Sequence, residues 1–111
     1  MKLSHRTDQN IYIISLEGDL ASKNMNEIEH YITPLLKDEN GGGIIINFDG
    51  ITFIDSSGVG LVLSMFKTLQ ARDSRLALCQ LGEDNMEIFE MTRLNDILSI
   101  YTTEEEALAS F

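Results

Sequence analysis

The chain has 111 residues, 43% hydrophobic and 23% charged, with 18 acidic against 8 basic residues and a net charge of −10. That length and balance suit one globular domain spanning residues 1–111 and exclude a disordered chain. The acidic excess repels nucleic acid and anionic membranes, so neither is an expected ligand, whereas a basic protein surface would be steered in.

No apolar run approaches the roughly 18 residues of a membrane span and no signal-peptide core opens the chain, so a soluble, cytoplasmic protein is expected. Lys2 to Thr7 predicts a first strand, followed by the turn Asp8-Gln9-Asn10. Ile11 to Leu16, rich in β-branched residues and ended by Gly18-Asp19, predicts a second strand able to pair with it as a hairpin. Ser22 to about Lys37 reads as a helix, with Met25, Ile28, Ile32, Leu35 and Leu36 on one stripe. Pro34 removes an N–H there and predicts a kink or an early stop. After the flexible Gly41-Gly42-Gly43, the run Ile44 to Phe48 predicts a central strand buried on both faces.

A further apolar run ends at Ile54 and leads through Asp55-Ser56-Ser57-Gly58-Val59-Gly60 into a helix expected from Val59 to about Ala71. Its stripe is Val59, Val62, Leu63 and Phe66, widened by Leu61, Met65 and Leu69. Arg75 to Leu81 reads as a short buried strand, Asp84 to about Thr92 as a helix with Met86 and Phe89 inward, and Ile97 to Tyr101 as the last strand. Thr103 followed three residues later by Glu106 fits a capping box opening a final helix. Strands alternating with helices imply an α/β fold: a mixed, mainly parallel sheet of about five strands with helices covering mainly one face.

The residues argue against catalysis by this chain. A serine nucleophile needs a histidine base in reach, and the two histidines, His5 and His30, read as surface residues of a strand and of a helix's polar side. The single Cys79 sits in the apolar stretch Leu76 to Cys79 and reads as a buried small hydrophobe. No metal-ligand spacing is present, and Glu104-Glu105-Glu106 complements the dipole of the last helix. No Gly-Lys-Ser/Thr follows Gly58-Val59-Gly60, so there is no phosphate loop and no cofactor is expected.

The turn Asp55-Ser56-Ser57-Gly58 has two readings. Asp and Ser are preferred helix caps, with Ser57 the better placed of the two serines. Ser56 is then free to present its hydroxyl at the positive end of a helix, where an anion is stabilised by unpaired N–H groups and the macrodipole. Phosphorylation there would add about −1.5 to −2 charges and act as an off-switch by repulsion, without refolding.

Phe53-Ile54-Asp55-Ser56-Ser57-Gly58-Val59-Gly60-Leu61 resembles the signature of the STAS domain and, more narrowly, of bacterial anti-sigma factor antagonists. Ile13 to Leu20 is similar to the family's second strand and its Gly-acidic-Leu turn, Phe89 to Leu94 to its third-helix ending, and Thr103 to Leu108 to its last helix start. The resemblance implies a protein that binds an anti-sigma factor, itself an ATP-dependent serine kinase, and so releases a sigma factor. The kinase then phosphorylates the serine after the motif aspartate, here Ser56, and a metal-dependent PP2C-type phosphatase resets it. It implies a docking surface of Asp19, Leu20, Ser22 and Lys23 together with Asp55, Ser56, Ser57, Gly58 and Val59. Asp55 either orients the Ser56 hydroxyl or caps the loop, and Asp19 has the plain alternative of a turn residue. Two positions depart from the family: Ala21 replaces a polar residue, and Arg93 replaces a helix-ending glycine. The alternative is a non-switching STAS interaction module of a larger complex, such as a stressosome or a transport assembly. Oligomeric state stays open, with Ile88 and Met91 of the third helix either buried or available for self-association.

Overall fold

In the computed structural model, which describes residues 1–111, the chain opens with a hairpin. Strands β1 (Lys2–Asp8) and β2 (Ile11–Leu20) pair antiparallel. Between them, Gln9 and Asn10 both adopt positive φ, 52° and 68°, the twist that suits a two-residue hairpin turn. The remaining strands are β3 (Gly43–Asn47), β4 (Ile51–Ile54), β5 (Leu76–Cys79) and β6 (Ser99–Tyr101); the helices are α1 (Met25–Leu36), α2 (Ser56–Gln70), α3 (Glu83–Met91) and α4 (Glu104–Ala109). The main path of the sheet is β1-β2-β3-β5-β6, five strands, parallel beyond the hairpin. A sixth, β4, pairs parallel with the far end of β2 only.

Strand alternation sends residues to two faces. Ile14, Leu16, Ile44, Ile46, Leu76 and Leu78 form one core with Ile28 and Ile32 of α1, Val62, Met65 and Leu69 of α2, and Phe89 of α3. Ile11, Ile13, Ile45, Ala77 and Cys79 pack on the other face under Ala107 of α4. Three helices thus cover one face and a short one the other, the arrangement expected from the sequence. Each fully buried Ile or Leu side chain contributes about 1.5–3 kcal/mol.

Several local expectations are corrected. Strand β2 does not end at Gly18-Asp19 but runs to Leu20, because Gly18 takes φ 124° and the register shifts between Gly18 and Asp19. That bulge re-aims the strand from β3 to β4. The helix expected from Ser22 opens as a 3-10 turn, Ser22–Asn24, before α1 begins. Pro34 does not stop α1, which runs to Leu36; the carbonyl deprived of its donor belongs to His30, an exposed residue open to solvent.

Helix α2 begins at Ser56, three residues ahead of Val59, and its buried stripe is Gly58, Val62, Met65 and Leu69. Val59, Leu63 and Phe66 are half-buried beside it, so the expected stripe is rotated about the axis. On α3 the buried pair is Asn85 and Phe89, with Met86 half-buried. Asn85 Nδ2 donates to the Ile51 carbonyl at 3.0 Å and ties α3 to the start of β4. Ile97 lies exposed ahead of β6.

Candidate functional site

The six-residue motif lies where β4 hands over to α2. Ile54 is buried and anchors the strand end. Asp55 follows in extended conformation (φ −107°, ψ −175°) as the N-cap of α2. Its Oδ1 accepts the Gly58 N–H at 3.1 Å and the Ser57 hydroxyl at 2.6 Å. Its Oδ2 accepts the Ser22 N–H at 3.0 Å. The Ser57 hydroxyl above all, then the Ser22 and Gly58 N–H groups, hold this carboxyl ionised well below the usual carboxylate range.

Ser57 is therefore not the cap; it is a donor to the cap. An aspartate one residue before the helix reaches the N–H three positions on, whereas Ser57 already lies inside the first turn. On these contacts Asp55 caps the helix, and Ser56 is not among its partners. Ser56 is the first residue of α2 and is exposed. The helix mouth is less open to an anion than expected, since Asp55 already occupies the Gly58 N–H.

The Ser22–Asp55 bond joins the two stretches singled out in the sequence. On the β2–α1 side, Asp19 sits within β2 rather than in a turn. Its Oδ2 pairs with Lys23 Nζ at 2.7 Å and its Oδ1 accepts the Thr52 hydroxyl of β4 at 2.8 Å. The Lys23 ammonium, then Thr52, lowers the Asp19 carboxyl. Asn24 Nδ2 donates to the Asp19 carbonyl at 2.8 Å and holds the turn closed. Ser22, Lys23 and Ser56 are exposed, and Asp19, Asp55, Ser57 and Val59 half-buried.

Leu20 and Gly58 correct the expected surface. Leu20 is fully buried and Gly58 is buried beneath the helix start, so neither offers a side chain to a partner. A Cβ on Gly58 would stand 2.1 Å from the Leu20 carbonyl oxygen and 2.8 Å from Ile54 Cγ1. The two residues bring β2 and α2 close together and so shape the surface from below. Ala21 is buried as well. One surface residue was missed: Phe53 pairs in register with Asp19 and is 52% exposed, a large apolar ring beside the motif. Its signal was present in the sequence as an aromatic directly ahead of Ile54-Asp55.

The histidines lie elsewhere. His5 stands edge-on to Tyr12 and Tyr31, with Nδ1 2.5 Å from the Tyr31 hydroxyl, and His30 is exposed on α1. Arg93, at the end of α3, takes the left-handed conformation (φ 62°, ψ 16°) that a glycine would adopt without strain.

Comparison with known proteins agrees with this architecture. The STAS domain profile matches residues 2–107. The anti-sigma-B factor antagonist of Listeria monocytogenes is 33% identical over 87 residues, covering 72% of this chain and 76% of its own length. The anti-sigma factor antagonist SpoIIAA in its unphosphorylated form superposes with a TM-score of 0.75 at 27% identity, over 98% of this chain and 96% of its own. The Bacillus cell fate determinant SpoIIAA in its phosphorylated form gives 0.74 at 28% identity, over 98% of both chains. With the profile running from β1 into α4 and the Asp-Ser-Ser-Gly turn at the head of α2, this chain belongs to the STAS domain family.

Proposed function

We propose that this protein is an anti-sigma factor antagonist that works by partner switching, with Ser56 as the switch. The observation that carries the reading is the exposed Ser56 at the head of α2, outside the Asp55 network, on a surface that the Ser22–Asp55 bond makes continuous with Asp19 and Lys23. On this reading residues 1–111 act as one domain. The unphosphorylated form docks on an anti-sigma factor that is also a serine kinase, through Asp19, Ser22, Lys23, Asp55, Ser56, Ser57 and Val59 with the Phe53 ring, and a sigma factor is released. Phosphate on Ser56 adds about −1.5 to −2 charges in the middle of that surface, and the complex comes apart. A PP2C-type phosphatase restores the hydroxyl. The kinase supplies nucleotide and chemistry, and this chain is substrate and ligand. The relatives named antagonists, and SpoIIAA being known in both forms, support the reading. No helix here is long and apolar enough to cross a membrane, which fits action in the cytoplasm.

The test is binding by titration calorimetry to the anti-sigma factor kinase encoded in the same genome. Ser56→Ala is expected to bind within a few-fold of wild type and to take no phosphate. Ser56→Asp is expected to bind at least tenfold more weakly with an unchanged thermal midpoint. Equal binding by Ser56→Asp contradicts a charge switch and favours a constitutive interaction module.

A further inference from the structure

Two serines stand side by side at the head of α2, and their hydroxyls differ in what they do. Ser57 is half-buried and donates to Asp55 Oδ1 at 2.6 Å. Ser56 is exposed and outside that carboxylate's bonding. We propose that Asp55 is the positioning residue that selects Ser56 over Ser57 as phosphate acceptor, by holding the Ser57 hydroxyl turned inward and leaving that of Ser56 free. This role rests on the switch reading above and supplies what that reading lacks, a reason for the choice between identical neighbours.

Transfer from ATP forms a bond between the acceptor Oγ and the γ-phosphorus. The bond from that phosphorus to the bridging oxygen breaks, ADP leaves with the electron pair, and the hydroxyl proton passes to a base of the kinase. The acceptor oxygen must come within roughly 3–3.5 Å of the phosphorus, in line with the leaving oxygen. To do so Ser57 must give up a hydrogen bond to an ionised partner, about twice as strong as a neutral one, and rotate outward. Ser56 has no such bond to give up. A carboxylate beside a hydroxyl is also the arrangement that activates a nucleophile. Asp55 is a poor base, because the Ser57 hydroxyl itself and then the Ser22 and Gly58 N–H groups bond the same carboxylate and keep its proton affinity low.

The test maps phosphate by mass spectrometry after incubating the full chain with ATP and the anti-sigma factor serine kinase of the same genome. Wild type is expected to carry phosphate on Ser56 alone. Asp55→Gly removes the carboxylate while glycine still serves at a helix N-cap; phosphate is expected to appear on Ser57, at least tenfold above the wild-type background signal at that site. Ser56→Ala is expected to stay unlabelled, and the double variant Asp55→Gly/Ser56→Ala to be labelled at Ser57, a gained acceptor that a weakened fold alone does not produce. Asp55→Asn keeps a capping side chain and makes the bond neutral, with a smaller rise expected. It decides the matter if Asp55→Gly lacks a cooperative thermal transition: no Ser57 label then overturns the proposal. Label confined to Ser56 in a folded Asp55→Gly, or shared with Ser57 in wild type, overturns the role of Asp55 and leaves the switch standing. A wild type labelled at neither serine overturns the switch, and this role with it.

Discussion

One carboxylate organises the site because its two oxygens face different segments. Asp55 Oδ1 serves the first turn of α2 and Oδ2 serves Ser22, 33 positions earlier in the chain. A helix N-terminus leaves several N–H groups without partners, and a short acidic side chain one residue ahead reaches them with little conformational freedom to lose. Cys79 shows the opposite case, a side chain whose chemistry burial removes. Its thiol is fully buried between β3 and α4, and burial, aided by the Glu104 charge, pushes its pKa up to about 12. Cys79 is therefore expected to resist thiol reagents in native buffer and to react only as the molecule opens. Its labelling rate in increasing urea should follow the unfolding transition, and fast labelling without denaturant would contradict this.

At the scale of elements, α2 packs closely on the ends of β2 and β4, and two glycines on α2 show it from opposite sides. Gly58 lies against the Leu20 carbonyl and Ile54, with no room for a methyl group. Gly58→Ala is expected to destabilise by about 3 kcal/mol, the upper range for overpacking a filled core. Gly60 has nothing within 4 Å of the place a Cβ would take. Gly60→Ala is expected to stabilise α2 by about 0.5–1 kcal/mol through helix propensity and a less flexible unfolded chain. Thermal unfolding checks both, at roughly 4–8 °C per kcal/mol for a domain of this size; shifts of the same sign would refute the assignment of the buried face. Gly60 is four residues on from Ser56, so a stabilised Gly60→Ala that also binds the kinase more weakly would extend the docking surface along the exposed side of α2.

For the whole molecule, charge sets the response to pH. Asp19, Asp38, Asp55 and Glu104 all have carboxyls lowered from their ordinary values by partners in the fold: Lys23 and Thr52, the Tyr12 hydroxyl and Asn40 N–H, the Ser57 hydroxyl with two N–H groups, and Arg6 with Asn47. Groups with depressed folded values contribute stability above their unfolded pKa, about 3.9 for Asp and 4.3 for Glu, and lose it as pH falls through the folded values. The urea midpoint is therefore expected to decline from about pH 4 downward, and less steeply in Asp55→Asn. A midpoint constant from about pH 5 to pH 2.5 would exclude this linkage.

Much of the fold was legible from hydrophobic period alone. Ile11 to Leu16, Ile44 to Phe48 and Leu76 to Cys79 mark strands, the spacing of Ile28 and Ile32 marks α1, and Thr103 caps α4 as its sequence indicates, accepting the Glu106 N–H at 3.2 Å. These features depend on neighbours within a few residues, so composition and spacing determine them. The motif from Asp55 to Gly60 was legible too, as a strand-to-helix turn with exposed Ser56. What only the tertiary structure decided was how its groups are shared out: the carboxylate of Asp55 reaching Ser22, the rotation of α2 that buries Gly58 and Met65, the burial of Leu20, and the exposure of Phe53. Each depends on a contact between segments distant in the chain, and local periodicity holds no record of which distant segment arrives.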